Sequence, residues 1–256
     1  MTVNVRKGAN VLGTHIDALS WEDAINTIRD WEINRESRYV ALCNVHSVVT
    51  ALLDDDHRND LNVADLATSD GMPVTWTLRR LGFPAQQRIN GPDLMWKYCE
   101  KAEKVGRKIY FYGSTVEVLA ILESKLRAAF PELQIAGMYS PPFRELTAAE
   151  DDDVVERINA SGACIVFVGL GCPRQEHWMF QHRGKINAVM IGVGAAFNYH
   201  AGTIKRAPVW MQNIGLEWLH RVASDPKRLW KRYLVTNSIF IFAITTQLLG
   251  LKKFKD

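Results

Sequence analysis

Short apolar runs punctuate the chain at wide intervals. Tyr39-Val40-Ala41-Leu42-Cys43 is one, and Lys108 followed by Ile109-Tyr110-Phe111-Tyr112 is another; Ala163–Val168 and Ala188–Val193 are two more. Their length and their β-branched and aromatic content predict buried strands. Between them the apolar residues recur at helical spacing. Leu94, Tyr98, Ala102 and Val105 trace a helix that stops at Gly106, and Val118, Leu119, Leu122, Leu126 and Ala129 trace one that stops at Pro131. Ser20 with Asp23 three residues on predicts a capped helix start. Strands alternating with helices predict an α/β fold of Rossmann-like parallel sheets with flanking helices. The pattern predicts a catalytic domain over residues 1–205, divisible into two lobes near 106, followed by a helical segment over 206–256.

In such folds ligands bind outside the carboxyl ends of the strands, near a switch in strand order. Four strand-end segments carry suitable residues. Asn44-Val45-His46 follows the first strand, where Asn44 offers an amide to the crevice, although a plain helix cap explains it as well. Asp70-Gly71-Met72-Pro73 is a turn into a helix; Asp70 suits either a general base for an acceptor hydroxyl or a cap that answers the helix dipole. Gly113-Ser114-Thr115 places a glycine and two hydroxyls ahead of a helix, an arrangement that attracts phosphate. Gly169-Leu170-Gly171-Cys172-Pro173-Arg174 begins like a dinucleotide fingerprint, but Arg174 stands where the third glycine belongs.

That missing glycine argues against the rival reading of an NAD-dependent, nucleotide-sugar-modifying enzyme. No GxxxxGK[ST], HExxH or GxSxG occurs, which argues against P-loop, zincin and esterase chemistry. The four cysteines, Cys43, Cys99, Cys164 and Cys172, form no CxxC pair and lie in or near apolar runs, so they read as small core residues of a protein in a reducing compartment. Residues Met1–Lys7 lack an apolar signal core, so a cytoplasmic location is expected.

Taken together, these segments resemble the WecG/TagA/CpsF glycosyltransferases, glycosyltransferase family 26, over nearly the whole chain. The likeness rests on Asp70-Gly71-Met72-Pro73-Val74, on Arg88-Ile89-Asn90-Gly91-Pro92-Asp93-Leu94 and on Gly169–Glu176. It continues through Gly192-Val193-Gly194-Ala195-Ala196-Phe197, Arg206-Ala207-Pro208, Gly215–Arg221 and Arg228–Tyr233. The resemblance implies inverting transfer of a sugar from a UDP-sugar to an undecaprenyl-diphosphate-linked sugar in cell-surface polysaccharide synthesis, with no metal or other cofactor. It implies Asp70 as the base, with Asn44, Arg88 and Gln175 as further catalytic residues. Gly113, Ser114, Gly169, Gly171, Asn198, Arg206, Arg221 and Arg228 are the expected substrate-binding residues, with main-chain N–H groups or an arginine steadying the departing diphosphate. Two positions depart from the pattern: Leu42 stands where some members have Thr, and Asn198 where many have Asp.

Charge changes the picture only at the end of the chain. The formal net charge is +3, yet from Lys205 onward ten lysines and arginines face three acidic residues, which leaves the preceding residues net negative. After Arg206-Ala207-Pro208 a helix is predicted to about Ala223. A second starts at Pro226, basic at first (Lys227, Arg228, Lys231, Arg232) and apolar later (Ile239–Ile244). The apolar part falls short of the roughly 20 residues that span a bilayer, so the segment reads as a membrane-targeting appendage lying on the inner face of the cytoplasmic membrane. Trp230, Tyr233, Phe240 and Phe242 are the expected interfacial residues, and a cut after about Met211 is expected to leave a folded core. A non-catalytic module binding another anionic surface is the remaining rival; no nucleic-acid partner is expected, while a homo-oligomer is.

Overall fold

The computed structural model describes residues 6–255, so the amino-terminal reading at Met1–Val5 lies outside the described residues. The chain opens with an antiparallel hairpin of β1 (Gly8–Val11) and β2 (Thr14–Asp17). Leu12 and Gly13 form its two-residue turn, both at positive φ (55° and 93°), as a hairpin turn that follows the strands' twist requires. The helix α1 (Trp21–Ile33) begins on the predicted cap: Asp23 N donates to Ser20 Oγ at 3.1 Å and Ser20 N to Asp23 Oδ2 at 3.2 Å. Next come β3 (Arg38–Cys43), α2 (Val45–Leu53), α3 (Asp55–Asn62), β4 (Leu66–Ser69) and α4 (Met72–Arg80). They are followed by α5 (Gly91–Lys104), β5 (Lys108–Gly113), α6 (Val116–Ala129), β6 (Gln134–Tyr139), α7 (Ala148–Ser161) and β7 (Ile165–Gly169). The remainder is α8 (Arg174–His182), β8 (Val189–Gly192), α9 (Ala196–Ala201), α10 (Val209–Asn213), α11 (Glu217–Ser224) and α12 (Pro226–Leu248).

The expected α/β fold is present, with flanking helices around a six-stranded sheet of order β4-β3-β8-β7-β5-β6. The pairs β3–β8, β8–β7, β7–β5 and β5–β6 are parallel. The chain divides into two compact units, with cuts after Ala24, Val40, Asn90 and Ile204. These differ from the division expected near 106, because α5 and β5, on either side of Gly106, belong to the same unit. Residues from Lys205 onward group with the first unit instead of standing apart.

The first unit holds the hairpin, α2, α3, β4, α4 and the last three helices. Asp17 is buried in it, and although burial opposes the charge, hydrogen bonds from His15, Arg6 and the Ala67 N–H hold its carboxyl below the usual range. The α12 helix packs on α2 and buries Leu229, Thr236, Phe240, Ala243 and Ile244, a stripe at helical spacing. Its last turn grips the hairpin: Leu12 N donates to Gln247 Oε1 at 2.9 Å, and Gln247 Nε2 donates to Asn10 O at 2.7 Å. The predicted helix from Pro208 to Ala223 is instead two, α10 and α11. The break falls at Gly215, which sits at φ 72° and whose missing Cβ would lie 2.9 Å from the Trp76 ring.

In the second unit the strands run β6-β5-β7-β8. The chain leaves β5 toward one side to reach β6 and returns on the other side of β5 for β7. That reversal makes the carboxyl ends of β5 and β7 a switch point, the place where such sheets bind ligands. Phe111, Phe167 and Phe197 fill the core beneath it, with Phe111 5.7 Å from each of the other two rings.

Candidate active site

In the first unit the end of β3 leads straight into Asn44, the N-cap of α2. Asn44 Oδ1 accepts from His46 N (2.9 Å) and Ser47 N (3.2 Å), while Ser47 Oγ accepts from Asn44 N (2.8 Å), so the capping box is complete. The amide's other end is left to donate, and Asn44 Nδ2 lies 3.4 Å from Asp70 Oδ2. The cap and the contact with Asp70 coexist, because the two ends of one amide serve different partners.

Asp70 follows β4, anchored by its own N–H to Cys43 O at 2.9 Å. The N-cap of α4 is Gly71, and Pro73 lies in the first turn as expected. The Arg88 segment is drawn alongside by Ile89 N donating to Ser69 O at 2.9 Å. Arg88 Nε donates to the Asp70 carbonyl, Nη2 donates to Glu217 Oε2 at 2.5 Å, and Nη2 stands 3.9 Å from Asp70 Oδ1. Asn44, Asp70, Arg88 and Glu217 thus form one connected group, with the Arg88, Asp70 and Glu217 side chains about one-fifth exposed. Arg206, in the same unit, donates to Asn90 Oδ1 at 3.1 Å. His46 beside them is kept neutral: burial first, then the charges of Arg232 and His57, push its pKa down to about 4.

In the second unit the structure brings together the two predicted glycine loops. Gly113 (φ 118°) pairs with Gly169, and a Cβ on it would come within 2.7 Å of the Gly169 backbone. Ser114 N donates to Gly169 O at 3.2 Å, and Ser140 Oγ donates to Ser114 O at 2.8 Å. Thr115 caps α6 through Val118 N. The Glu117 carboxylate, held low by a hydrogen bond to its own N–H and one to Thr115, adds a negative charge at the helix start expected to attract phosphate. Gln175 is 4% exposed, and its Oε1 accepts from both Gly171 N (3.2 Å) and Gly194 N (3.1 Å), while its Nε2 donates to Glu176 Oε1 (2.7 Å). Gln175 is therefore a tie between two strand-end loops, and the Gly171 N–H expected for the diphosphate is engaged with it. Asn198 Nδ2 donates to Thr203 Oγ1 at 3.1 Å.

The first group sets a part-buried carboxylate beside a guanidinium, and the second sets two glycine loops against each other. Residues 9–254 match the Glycosyl transferase WecG/TagA/CpsF family. The chain belongs to that family. A relative from Bacillus spizizenii, an N-acetylglucosaminyldiphosphoundecaprenol N-acetyl-beta-D-mannosaminyltransferase, is 34% identical over 175 residues, which cover 68% of this chain and 66% of the relative. A relative of the same name from Staphylococcus aureus is 28% identical over 261 residues, with both chains covered in full.

Against the family pattern, Leu42 is buried in β3 and Asn198 is part-exposed on α9. At the carboxyl end of the chain, Arg221 lies half-buried in the last turn of α11, while Arg228 is on the exposed face of α12 with its Nε donating to Asp225 Oδ2 at 2.7 Å. Among the described residues no helix is long and apolar enough to cross a membrane. The expected interfacial residues divide by helix face. Phe242 and Trp230 are exposed, whereas Phe240 is 4% exposed and packs inward. Leu234, Val235, Ile241, Leu248 and Leu249 join the exposed set. Trp230 and Ile241 each follow an inward residue by one position, so the sequence alone did not assign the faces. Glu217 was missed as a site residue, because a partner 129 positions from Arg88 has no spacing signature.

Proposed function

We propose that the chain is an inverting transferase that moves an N-acetylmannosaminyl group from a UDP-sugar onto an N-acetylglucosaminyl-diphospholipid acceptor. The sugar and acceptor follow the names of the relatives, and UDP as the carrier follows the family resemblance. The observation that carries the reading is the Asp70 carboxylate at the end of β4, positioned by the Asn44 amide and flanked by Arg88.

The steps follow from that group. Asp70 takes the proton of the acceptor hydroxyl as the oxygen attacks the anomeric carbon of the donor sugar, and the bond to the departing UDP breaks. Asn44 keeps the carboxylate aimed, and its own orientation is fixed by the capping box. Arg88, with further N–H groups beyond those bound to Asp70 and Glu217, offers charge to diphosphate oxygens. No metal enters the reaction.

The exposed face of α12 serves the lipid-linked acceptor. Lys227, Arg228 and Lys231 are exposed beside Trp230, and Phe242 and Leu249 continue the face. Each cation near an anionic leaflet contributes on the order of 1 kcal/mol, and the apolar residues add burial at the interface. The protein then works on the inner face of the cytoplasmic membrane as a peripheral enzyme. The test is sugar transfer by the pure protein in the presence of vesicles with and without anionic lipid. Transfer that depends on Asp70 and rises with anionic lipid is expected; transfer indifferent to both overturns the reading.

A further inference from the structure

Arg88 stands between two carboxylates and is not shared equally. Its Nη2 is 2.5 Å from Glu217 Oε2 and 3.9 Å from Asp70 Oδ1. Its Nε is tied to the Asp70 carbonyl, which anchors the planar guanidinium at one corner. The bond to Glu217 holds Nη2 at that distance from the Asp70 carboxylate. A charge-assisted hydrogen bond between the two would occupy a lone pair of the base and lower its appetite for a proton.

We propose that Glu217 is a positioning residue for the transfer, holding the Arg88 guanidinium off the Asp70 carboxylate so that Arg88 does not compete with the acceptor hydroxyl for the base. Glu217 is the first residue of α11, in the segment that a purely sequence-based division sets apart from the catalytic domain. The carboxyl-terminal helices are thereby part of the reaction centre. Side-chain exposures of 16% for Arg88 and 17% for Glu217 leave the pair little screened by water, so loss of one partner is felt by the other.

This inference rests on Asp70 acting as the base, and the experiment separates the two. Turnover of UDP-N-acetylmannosamine with a synthetic N-acetylglucosaminyl-diphospholipid is measured for wild type, E217Q, E217D, R88Q, E217Q/R88Q and D70N. In E217Q the guanidinium falls onto Asp70, and kcat drops about tenfold or more while donor KM stays within about threefold. E217D, which keeps the charge, recovers most of the loss. The double variant matches R88Q alone, because Glu217 acts only through Arg88. If E217Q does not fold, E217A/R88A is compared with R88A, and equal turnover supports the proposal while slower turnover by the double variant overturns it. E217Q with wild-type kcat, E217D no better than E217Q, or additive losses in the double variant also overturn it. An inactive D70N beside a wild-type E217Q sinks this inference alone; an active D70N sinks the base assignment.

Discussion

Phe240 and Phe242 are the same residue two positions apart on one helix, yet their consequences should differ in kind. Phe240 is 4% exposed and lies in the inward stripe with Thr236, Ala243 and Ile244, against α2; Phe242 is 74% exposed. Phe240→Ala removes a buried ring and leaves a cavity that the neighbouring helices fill only in part, a loss of about 3–5 kcal/mol. With a urea dependence on the order of 3 kcal/mol per molar, the unfolding midpoint of the first unit drops by about 1 M or more. Phe242→Ala touches no core and should stay within about 0.5 kcal/mol. On vesicles containing anionic lipid the order reverses, and Phe242→Ala should weaken partitioning by on the order of tenfold through lost apolar burial. Urea unfolding followed by tryptophan fluorescence, with vesicle co-sedimentation of the same samples, reads both effects. Equal stability costs for the two alanine variants would refute the assignment of helix faces. The same reasoning revises the truncation expected to leave a folded core. A cut after Met211 strips the Phe240 stripe from α2 and the Gln247 grip from the hairpin turn, so the first unit should lose its cooperative unfolding.

Gln175→Ala frees the Gly171 and Gly194 amides, so both should exchange with solvent at least tenfold faster by hydrogen-exchange mass spectrometry, with kcat/KM falling as the loops loosen; unchanged exchange at both would remove the brace. His46 should titrate near 4, not near its ordinary 6.5, when followed by NMR. The sign follows from the lowered value: the unfolded chain takes up a proton as pH falls below about 6.5 while the folded chain resists until about 4. Stability therefore declines across that window, and His46→Asn should flatten the decline; a midpoint near 6.5 would contradict the buried environment.

Apolar continuity marked β3, β5, β7 and β8, because strands buried on both faces read as unbroken runs. The β4 and β6 strands escaped because neither is an unbroken apolar run. Leu66-Ala67-Thr68-Ser69 is short and half polar, and Gln134–Tyr139 has a half-exposed pattern interrupted by Gly137. The hairpin was hidden in Leu12-Gly13, where a buried leucine holds a positive φ that its residue type does not advertise. Strand-end position pointed to Asn44, Gly113, Gly169 and Gly171, and the Asp-Gly turn ahead of a helix pointed to Asp70. Geometry adds structural tasks to these: Gly113 and Gly169 permit close approach of two strands, and Gln175 braces two loops. The roles of Glu217 and Gln247 depend on contacts 129 and more than 200 residues away, beyond the reach of any local pattern.

The central claim is that this chain transfers a sugar from a UDP-sugar with Asp70 as the base. The most direct measurement mixes pure protein, UDP-N-acetylmannosamine and a synthetic N-acetylglucosaminyl-diphospholipid in anionic vesicles, and follows the lipid by mass spectrometry. Wild type should convert the acceptor to a species heavier by one N-acetylhexosaminyl residue, and folded Asp70→Asn should be slower by about 10² or more. Failure of wild type to extend the acceptor with that or any other UDP-sugar, or equal turnover by Asp70→Asn, would contradict the account.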